Sequence, residues 1–299
     1  MAVAEALLSA AETEHDARTA AEAVMRFRAA LDAVPIIQAP LQWAETQTRL
    51  STALRLLGAL LDDAEVLHDA IRSAEAALAA APLASAPQLW ARAQAALGSA
   101  HVVLGEREAD PTHLSTAAAR YAAATQGFPR ADFPLDWARM QRNRGAALCL
   151  FAEAAADPGA LRDAIACYRA ALEEYAPAAT AADWAMTQSN LGQALRLLGE
   201  LTREPNCLRD AVAACEAALG ITDRAITPQD RAMTTTNLAN ALTALAEHLE
   251  DASLLRDAIA VYRRALTALD GPLWLRQRAI TRHNLVRTEQ RLAARGGSP

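Results

Sequence analysis

Lysine is absent from the sequence, so arginine supplies all 29 basic side chains. Acidic side chains number 35, which gives a formal net charge of −6 at pH 7. A chain of this sign repels the phosphate backbone, and no base-reading position recurs along it, so we expect no nucleic-acid partner. The joint abundance of arginine and alanine is typical of a GC-rich bacterial genome, and we therefore expect a bacterial protein.

Alternating β-branched residues, which mark a half-buried strand, are also missing. Aromatic residues make up only 4% of the chain, with 12 glycines and 13 prolines. This composition predicts an all-α protein. No apolar run is long enough to span a bilayer, and the first residues, MAVAEALLSAAETEHD, lack the basic start of a signal peptide. We expect a cytoplasmic protein without a membrane partner.

Motifs of catalysis and metal binding are equally scarce. The sequence contains no glycine-rich phosphate loop, no nucleophile elbow and no HExxH motif. The four cysteines, Cys149, Cys167, Cys207 and Cys215, form no CxxC pair, and no histidine lies at metal-ligand spacing from them. We expect these cysteines to be small buried residues. The prediction is a protein that is not an enzyme and has no catalytic residues, cofactor or metal.

The chain instead repeats itself with a period of 47 residues. Several positions recur at this spacing without insertion: Trp43, Trp90, Trp137 and Trp184; Gln47, Gln94, Gln141 and Gln188; Asn143, Asn190, Asn237 and Asn284; Gly58, Gly105 and Gly199; and Leu67, Leu114, Leu161, Leu208 and Leu255. Tryptophan is expected in the core. The glutamines lie at the edge of the apolar stripe, where bonding to a neighbouring backbone is favoured over ligand contact.

Recurring proline and acidic residues divide each repeat into two helices. Proline recurs three residues before the tryptophan position, which suits the first turn of a helix. An acidic residue recurs between the helices, and Pro111, Pro158 and Pro205 directly follow three of these residues, as expected for an N-cap and the first helical position. We predict a first helix such as 181–202 and a second helix such as 207–221. Their apolar stripes require stacked neighbours, which predicts a solenoid.

These boundaries cover nearly the whole chain. We expect a single solenoid over residues 1–295, with repeat units at about 1–34, 40–81, 87–128, 134–175, 181–222 and 228–269. The first unit is degenerate. An arginine-rich capping helix is expected at 273–294 and a flexible tail at 296–299.

The repeated residues resemble the tetratricopeptide repeat (TPR). Asn190, Leu191, Gly192, Ala194 and Gly199 are similar to the N-L-G-x-A…G pattern of its first helix. Ala211, the tyrosine at the position of Tyr168 and Tyr262, and Ala218 with Leu219 are similar to its second helix. A standard TPR has 34 residues, so this unit is longer, and it resembles the extended, tryptophan-containing arrays of bacterial signalling proteins. The resemblance implies an all-α, right-handed superhelical α-solenoid of six hairpins plus a C-terminal capping helix.

The resemblance also implies that the first helices line a concave groove that binds a protein or peptide. By this analogy, the candidate partner-binding residues are Arg92, Arg139, Arg142, Val103, Leu150, Gln193, Arg196, Asn240, His283 and Arg287. Their mixture of arginine and apolar side chains favours an acidic and apolar partner, because guanidinium groups bind carboxylates. The other interpretation is that exposed arginines keep an alanine-rich helix soluble.

Two functions are compatible with these residues and with the resemblance to the TPR. The first is a non-enzymatic protein–protein interaction scaffold that holds a protein or peptide in the groove. The alternative is a ligand- or peptide-sensing regulatory subunit of a bacterial signalling or effector system, in which small rotations between repeats accumulate along the array.

Overall fold

The protein is built from α-helices joined by short turns. The structure, a computed structural model, describes residues 1–221, 227–269 and 274–296, without the side chain of Arg276. These residues form thirteen α-helices: α1 (Ala2–Glu14), α2 (Ala17–Ala33), α3 (Pro40–Leu61), α4 (Ala64–Ala80), α5 (Pro87–Glu108), α6 (Pro111–Ala124), α7 (Pro134–Ala155), α8 (Pro158–Leu172), α9 (Ala181–Thr202), α10 (Pro205–Leu219), α11 (Pro228–Leu249), α12 (Ala252–Ala268) and α13 (Leu275–Ala294). A short 3-10 turn, Thr125–Gly127, follows α6. No strand occurs in the parts of the chain that are described.

The all-α prediction, with six consecutive helix pairs and a final helix, is confirmed. The predicted helix 181–202 matches α9, whereas the second helix of that repeat begins at Pro205 rather than 207. Proline starts this helix two residues earlier because its missing N–H costs nothing in the first turn. Of the predicted bounds, residues 222, 273 and 297–299 lie outside the described residues, and the single domain over 1–295 stays a prediction.

The helices group into two compact units, Met1–Ala155 and Ala156–Pro299. In the first unit, which contains α1 to α7, each helix packs against the next one in sequence. Contacts also join α3 to α5 and α5 to α7, so alternate helices line up side by side. Packing restricted to near neighbours in sequence is the pattern of an α-solenoid.

The second unit contains α8 to α13 and repeats this pattern. Consecutive helices pack together from α8 to α13, and α9 contacts α11, which in turn contacts α13. Its core includes the fully buried Leu255, Tyr262 and Leu292, contributed by α12 and α13. The alternate helices α9, α11 and α13 therefore form a layer, and this layer carries the candidate functional site.

Small residues let the two helices of a hairpin approach closely. A Cβ atom added to Gly199 of α9 would lie 2.7 Å from Leu208 Cδ2 of α10. Gly58 and Gly105 meet Leu67 and Leu114 in the same way, with added Cβ atoms at 2.8 and 2.9 Å. The recurring glycine and the recurring leucine are thus two sides of one contact. At these three glycines a larger residue would require the facing leucine to shift.

The tryptophans lie less deep than expected. Trp43, Trp90, Trp137 and Trp184 are all half-buried. Trp90 packs against the core of the first unit, which includes Tyr121 and Phe128, while the guanidinium of Arg130 lies 4.8 Å from the centre of the Trp137 ring. An indole is too large to enter a core made mostly of alanine, so it covers the edge of that core.

Aspartate caps start the second helices of the hairpins. The carboxylates of Asp16, Asp63, Asp110, Asp157 and Asp251 each accept hydrogen bonds from backbone N–H groups in the following turn. At Asp110 the bonds from Thr112 lower the pKa of the carboxyl. Glu204 occupies the same position before α10, but its side chain makes no capping bond. The sequence therefore predicts the position of this cap correctly. The predicted capping hydrogen bond is wrong at Glu204, whose longer side chain does not cap the helix.

The turn between the helices of each hairpin uses a left-handed residue that the sequence did not reveal. His15, Asp62, Ala109, Ala156, Arg203 and Glu250 have φ between 51° and 58°, and they too are 47 residues apart. Helices commonly end in this conformation, usually with glycine, because a Cβ atom is strained there. None of the six is glycine, and all six are exposed. At Asp62, Ala109, Arg203 and Glu250 the backbone N–H donates to the carbonyl oxygen four residues earlier, which closes the turn.

Changing Ala109 to glycine should therefore stabilise the protein. Ala109 is exposed with φ 53°, so glycine removes strain without removing a contact. We expect the free energy of unfolding, measured by urea denaturation, to rise by about 0.5–1 kcal/mol. The matched control is Ala29→Gly, at an exposed position inside α2, which should lower it by a similar amount. Equal destabilisation by both changes would contradict the prediction.

Candidate functional site

The second unit contains an open groove of about 830 Å³. Helices α9, α11 and α13 supply most of its wall, and α10 and α12 each supply one residue. The lining residues are Arg196, Gly199, Glu200, Arg203, Leu208, Asn240, Thr243, Ala244, Glu247, His248, Tyr262, Asn284, Arg287, Thr288 and Arg291. We call this cavity the α9–α11–α13 groove. Its volume is within the usual range for ligand sites.

The charge of the groove is positive although the whole chain is acidic. Four arginines and two glutamates line it, so with His248 neutral the lining has an excess of two positive charges. One glutamate, Glu200, accepts a hydrogen bond from Arg196 one turn away on α9. The other, Glu247 of α11, pairs with Arg291 of α13. The excess charge comes from the remaining two arginines, which are exposed.

A partly buried hydrogen-bond network joins three residues that line the groove. The hydroxyl of Tyr262 donates to Asn240 Oδ1 at 2.6 Å, and Asn284 Nδ2 donates to the same oxygen at 3.0 Å. Burial raises the pKa of Tyr262, so the phenol is neutral and acts as a donor. With its carbonyl oxygen occupied twice, Asn240 is held in one orientation. Its amide Nδ2 is the group left to donate toward the groove.

Hydroxyl groups join the three layer helices at further points. The pairs Thr236–Thr281 and Thr243–Thr288 lie 3.3 and 3.4 Å apart across α11 and α13. Asn237 Nδ2 of α11 donates to Ser189 Oγ of α9 at 3.1 Å. These bonds fix the lateral spacing of the helices, and hence the width of the groove.

The first unit repeats the tyrosine contact at the same register. Ser99, at the repeat position of Asn240, lies 2.9 Å from the hydroxyl of Tyr121, at the position of Tyr262. Serine has no second polar group to present to a ligand, whereas asparagine has its amide. The tyrosine contact is therefore structural in both units, and only Asn240 adds a donor at the groove.

Three predicted residues of the second unit lie around the groove. Arg196, Asn240 and Arg287 all line it, although they are far apart in sequence. Gln193 is half-buried and His283 is exposed, and neither lines this cavity. One helical turn separates His283 from Arg287, so the two lie on the same face of α13, but only Arg287 lines the cavity.

The predicted residues of the first unit do not belong to this groove. Arg92 and Val103 lie on α5, and Arg139, Arg142 and Leu150 lie on α7. Arg139 pairs with Asp136 on the same helix, so its charge is partly neutralised. Arg142, Val103 and Leu150 are half-buried, while Arg92 is exposed. A role in partner binding for these five residues remains a prediction.

Several residues that line the groove were not predicted from the sequence. Asn284 belongs to the recurring asparagine position and could have been found from that periodicity. Arg203 occupies the left-handed turn after α9, a conformation that no sequence signal marked. Arg291 and Glu247 meet across two helices 44 residues apart in sequence, which only the tertiary structure reveals.

At two positions of the glutamine ladder the amide oxygen lacks a hydrogen-bond partner. Oε1 of Gln47 and Oε1 of Gln94 are buried without a hydrogen-bond partner, as is the hydroxyl of Ser51.

Three of the four cysteines are buried, as expected, whereas Cys207 is half-buried. Cys149, Cys167 and Cys215 are buried, and burial raises the pKa of Cys215 to about 12. Over residues 1–221, 227–269 and 274–296, no three His, Cys, Asp or Glu side chains come close enough together to hold a metal ion. In the same residues no helix combines the length and apolarity required to cross a bilayer.

Comparison with known proteins does not identify the family of this chain. No protein-family profile matches the chain, and no curated protein matches it either. The fold is similar to BtubC (BKLC) from P. vanneervenii, with 18% identity over 87% of this chain and 93% of that chain and a TM-score of 0.48. It is also similar to the TPR2AB domain of yeast Sti1, solved in complex with pHSP90, with 14% identity over 98% of this chain and 99% of that chain and a TM-score of 0.34. At these values, neither similarity establishes the family or the function of this chain.

The Tyr262–Asn240 bond can be measured by a double-mutant cycle. Tyr262→Phe removes the donor and leaves Asn240 Oδ1 with the bond from Asn284 alone. We expect the change to lower the free energy of unfolding by about 1–2 kcal/mol, measured by urea denaturation. In a background of Asn240→Ala, the same substitution should cost less, because the partner is already gone. Equal costs in both backgrounds would show that the bond contributes nothing.

Proposed function

We propose that this protein is a non-enzymatic interaction scaffold and that the α9–α11–α13 groove binds a carboxylate-bearing, partly apolar segment of a partner protein. The observation that carries the proposal is an excess of arginine in the groove of an acidic chain. A carboxylate is the group that guanidinium side chains bind best, through paired hydrogen bonds.

Two arginines of the groove are available for such a ligand. Among the described residues, Arg203 and Arg287 have no carboxylate partner, and both are exposed. Arg196 and Arg291 are held by Glu200 and Glu247, which fixes their side chains. The groove thus combines two oriented arginines with two that remain free to bind an anion.

Apolar and polar groups complete the surface. Leu208 and Ala244 line the groove beside the arginines, and Asn240 presents its amide from a fixed orientation. An extended peptide offers carboxylates, apolar side chains and backbone carbonyls together, so all of these groups find a complement. A small inorganic anion would leave the apolar part of the lining uncovered.

The pattern of variation along the repeat supports a partner surface. At the position of Asn240 the residues are Ser99, Ala146, Gln193, Asn240 and Arg287. The position of Ala44 is alanine in every repeat, at Ala91, Ala138, Ala185, Ala232 and Ala279. Packing keeps the second position constant, whereas residues on a binding surface differ from repeat to repeat.

The described lining of the groove contains no cysteine or serine, so it offers neither of the commonest nucleophiles. Its tyrosine has a raised pKa and donates its proton to an asparagine. A surface without an activated nucleophile fits binding better than catalysis.

The alternative function is a ligand-sensing regulatory subunit. The groove volume of about 830 Å³ suits a small acidic molecule as well as a peptide. The two functions differ in their response to the ligand. A sensor changes its small-angle scattering profile when the ligand binds, whereas a scaffold keeps the same profile.

Charge reversal in the groove should abolish the selection of acidic peptides. The probe is a phage-displayed library of random decapeptides, selected on the wild-type chain and on an Arg203→Glu/Arg287→Glu variant. We expect the wild type to select peptides with Asp or Glu beside apolar residues and to bind a selected peptide at least tenfold more tightly than the variant, as measured by fluorescence anisotropy. The preference should weaken as salt is added.

The matched control is Arg26→Glu/Arg28→Glu, which reverses two exposed arginines of α2 outside the groove. This variant should bind the selected peptides like the wild type. If the control loses binding as strongly as the groove variant, net charge rather than the groove governs the selection, and the proposal is wrong. Selection of peptides without acidic residues would also refute it.

The arginines predicted on α7 of the first unit are tested in the same experiment with a separate variant. An Arg139→Glu/Arg142→Glu variant tests the predicted residues on α7 against the same peptides. Loss of binding here, with the groove variant unaffected, would move the site to the first unit.

A further inference from the structure

One hairpin replaces an apolar contact of the repeat with two histidines. His101 of α5 occupies a position that is leucine in four other repeats, at Leu54, Leu148, Leu195 and Leu242. His113 of α6 occupies a position filled elsewhere by Val66, Ala160, Cys207 and Leu254. Both histidines are half-buried in the first unit. Nothing in the packing of the other repeats requires a polar group at either position.

The two imidazoles face each other through their Nδ1 atoms. The nitrogens lie 3.0 Å apart, and the rings stack with centroids 5.2 Å apart and an angle of 27° between their planes. A hydrogen bond between two Nδ1 atoms needs one proton and one lone pair. The contact therefore tolerates one proton on these two nitrogens and fails when both are protonated.

The surroundings of His101 disfavour a positive charge on its imidazole. His113 and Arg120 of α6 and His68 of α4 all oppose a positive charge on His101. Two carboxylates lie near His113: Glu108, which is 3.5 Å from its Nε2 on the side away from the shared contact, and Asp110 at the start of α6, whose pKa His113 helps to lower. Within the described residues, neither α3 nor α7 adds a charged group that shifts the pKa of His101.

We propose that the His101–His113 contact is a proton-sensitive joint, which holds α5 against α6 near neutral pH and loosens when both imidazoles are protonated. Two cations at this separation repel each other in a partly buried site, where solvent screens them poorly. Loosening would act on α5, the helix that also carries Arg92 and Val103. The joint does not depend on the proposed function of the groove in the second unit.

The pH range of the effect follows from the titration of His101. Burial, and next the neighbouring His113, lower the pKa of His101 from 6.5 to about 4 in the folded chain. As the pH falls below 6.5 the unfolded chain binds this proton first, so the free energy of unfolding decreases until the folded chain also binds it near pH 4. The stabilising effect of the neutral pair is complete above pH 6.5 and is lost between 6.5 and 4.

The test uses the residues that other repeats carry. In the His101→Leu/His113→Val variant, the joint becomes the apolar contact found at Leu54 and Val66. We expect the Tm of the wild type, followed by circular dichroism, to fall by roughly 3–6 °C more than that of this variant between pH 7 and pH 4.5. Titration of carboxylates other than Glu108 and Asp110, which lie beside His113, affects both proteins and cancels in the comparison.

The control is His15→Asn, which removes an exposed imidazole at a left-handed position that asparagine tolerates. Its Tm should follow the wild type over the whole pH range. Parallel curves for the wild type and the double variant would overturn the proposal, as would equal flattening by His15→Asn. NMR titration of the wild type provides a second measurement, in which a midpoint for His101 near 6.5 would likewise refute it.

Discussion

Close packing of small residues against leucine is the contact on which the structure depends. In the repeats, a glycine or alanine on the first helix of the hairpin packs against the leucine in the first turn of the second helix, as Gly199 packs against Leu208. An alanine-rich core offers little apolar area per residue, so its stability rests on this close approach and on the stacking of many similar hairpins. The tryptophans, too large for such a core, lie at its edge.

This constraint separates positions that pack from positions that are free to vary. The alanine position of the first helices is constant and is buried at Ala44, Ala91 and Ala138 as well as at Ala185 and Ala232. Other positions of the same helices differ between repeats, and in the second unit some of them carry the arginines of the groove. A repeat can thus change its charged residues while the alanine position stays constant.

Polar side chains inside the hairpins also differ from repeat to repeat. Tyr262 and Asn240 bond at the register where Ser99 meets Tyr121, so the repeat tolerates different partners for the same hydroxyl. His101 and His113 replace an apolar contact of the other repeats by a hydrogen bond that depends on a shared proton. Each substitution is local because a hairpin contacts few others, and its effect on stability is local for the same reason.

The sequence by itself determined the all-α class, the series of hairpins and the positions of most caps, because these follow from periodicity and from the chemistry of single residues. It also placed Arg196, Asn240 and Arg287 on the face that forms the groove. Tertiary structure alone decided the left-handed turns, the unsatisfied glutamines, and the pairing of Arg291 with Glu247. These features depend on distances between helices, which are set by the packing of side chains from several repeats and leave no signal in any one of them.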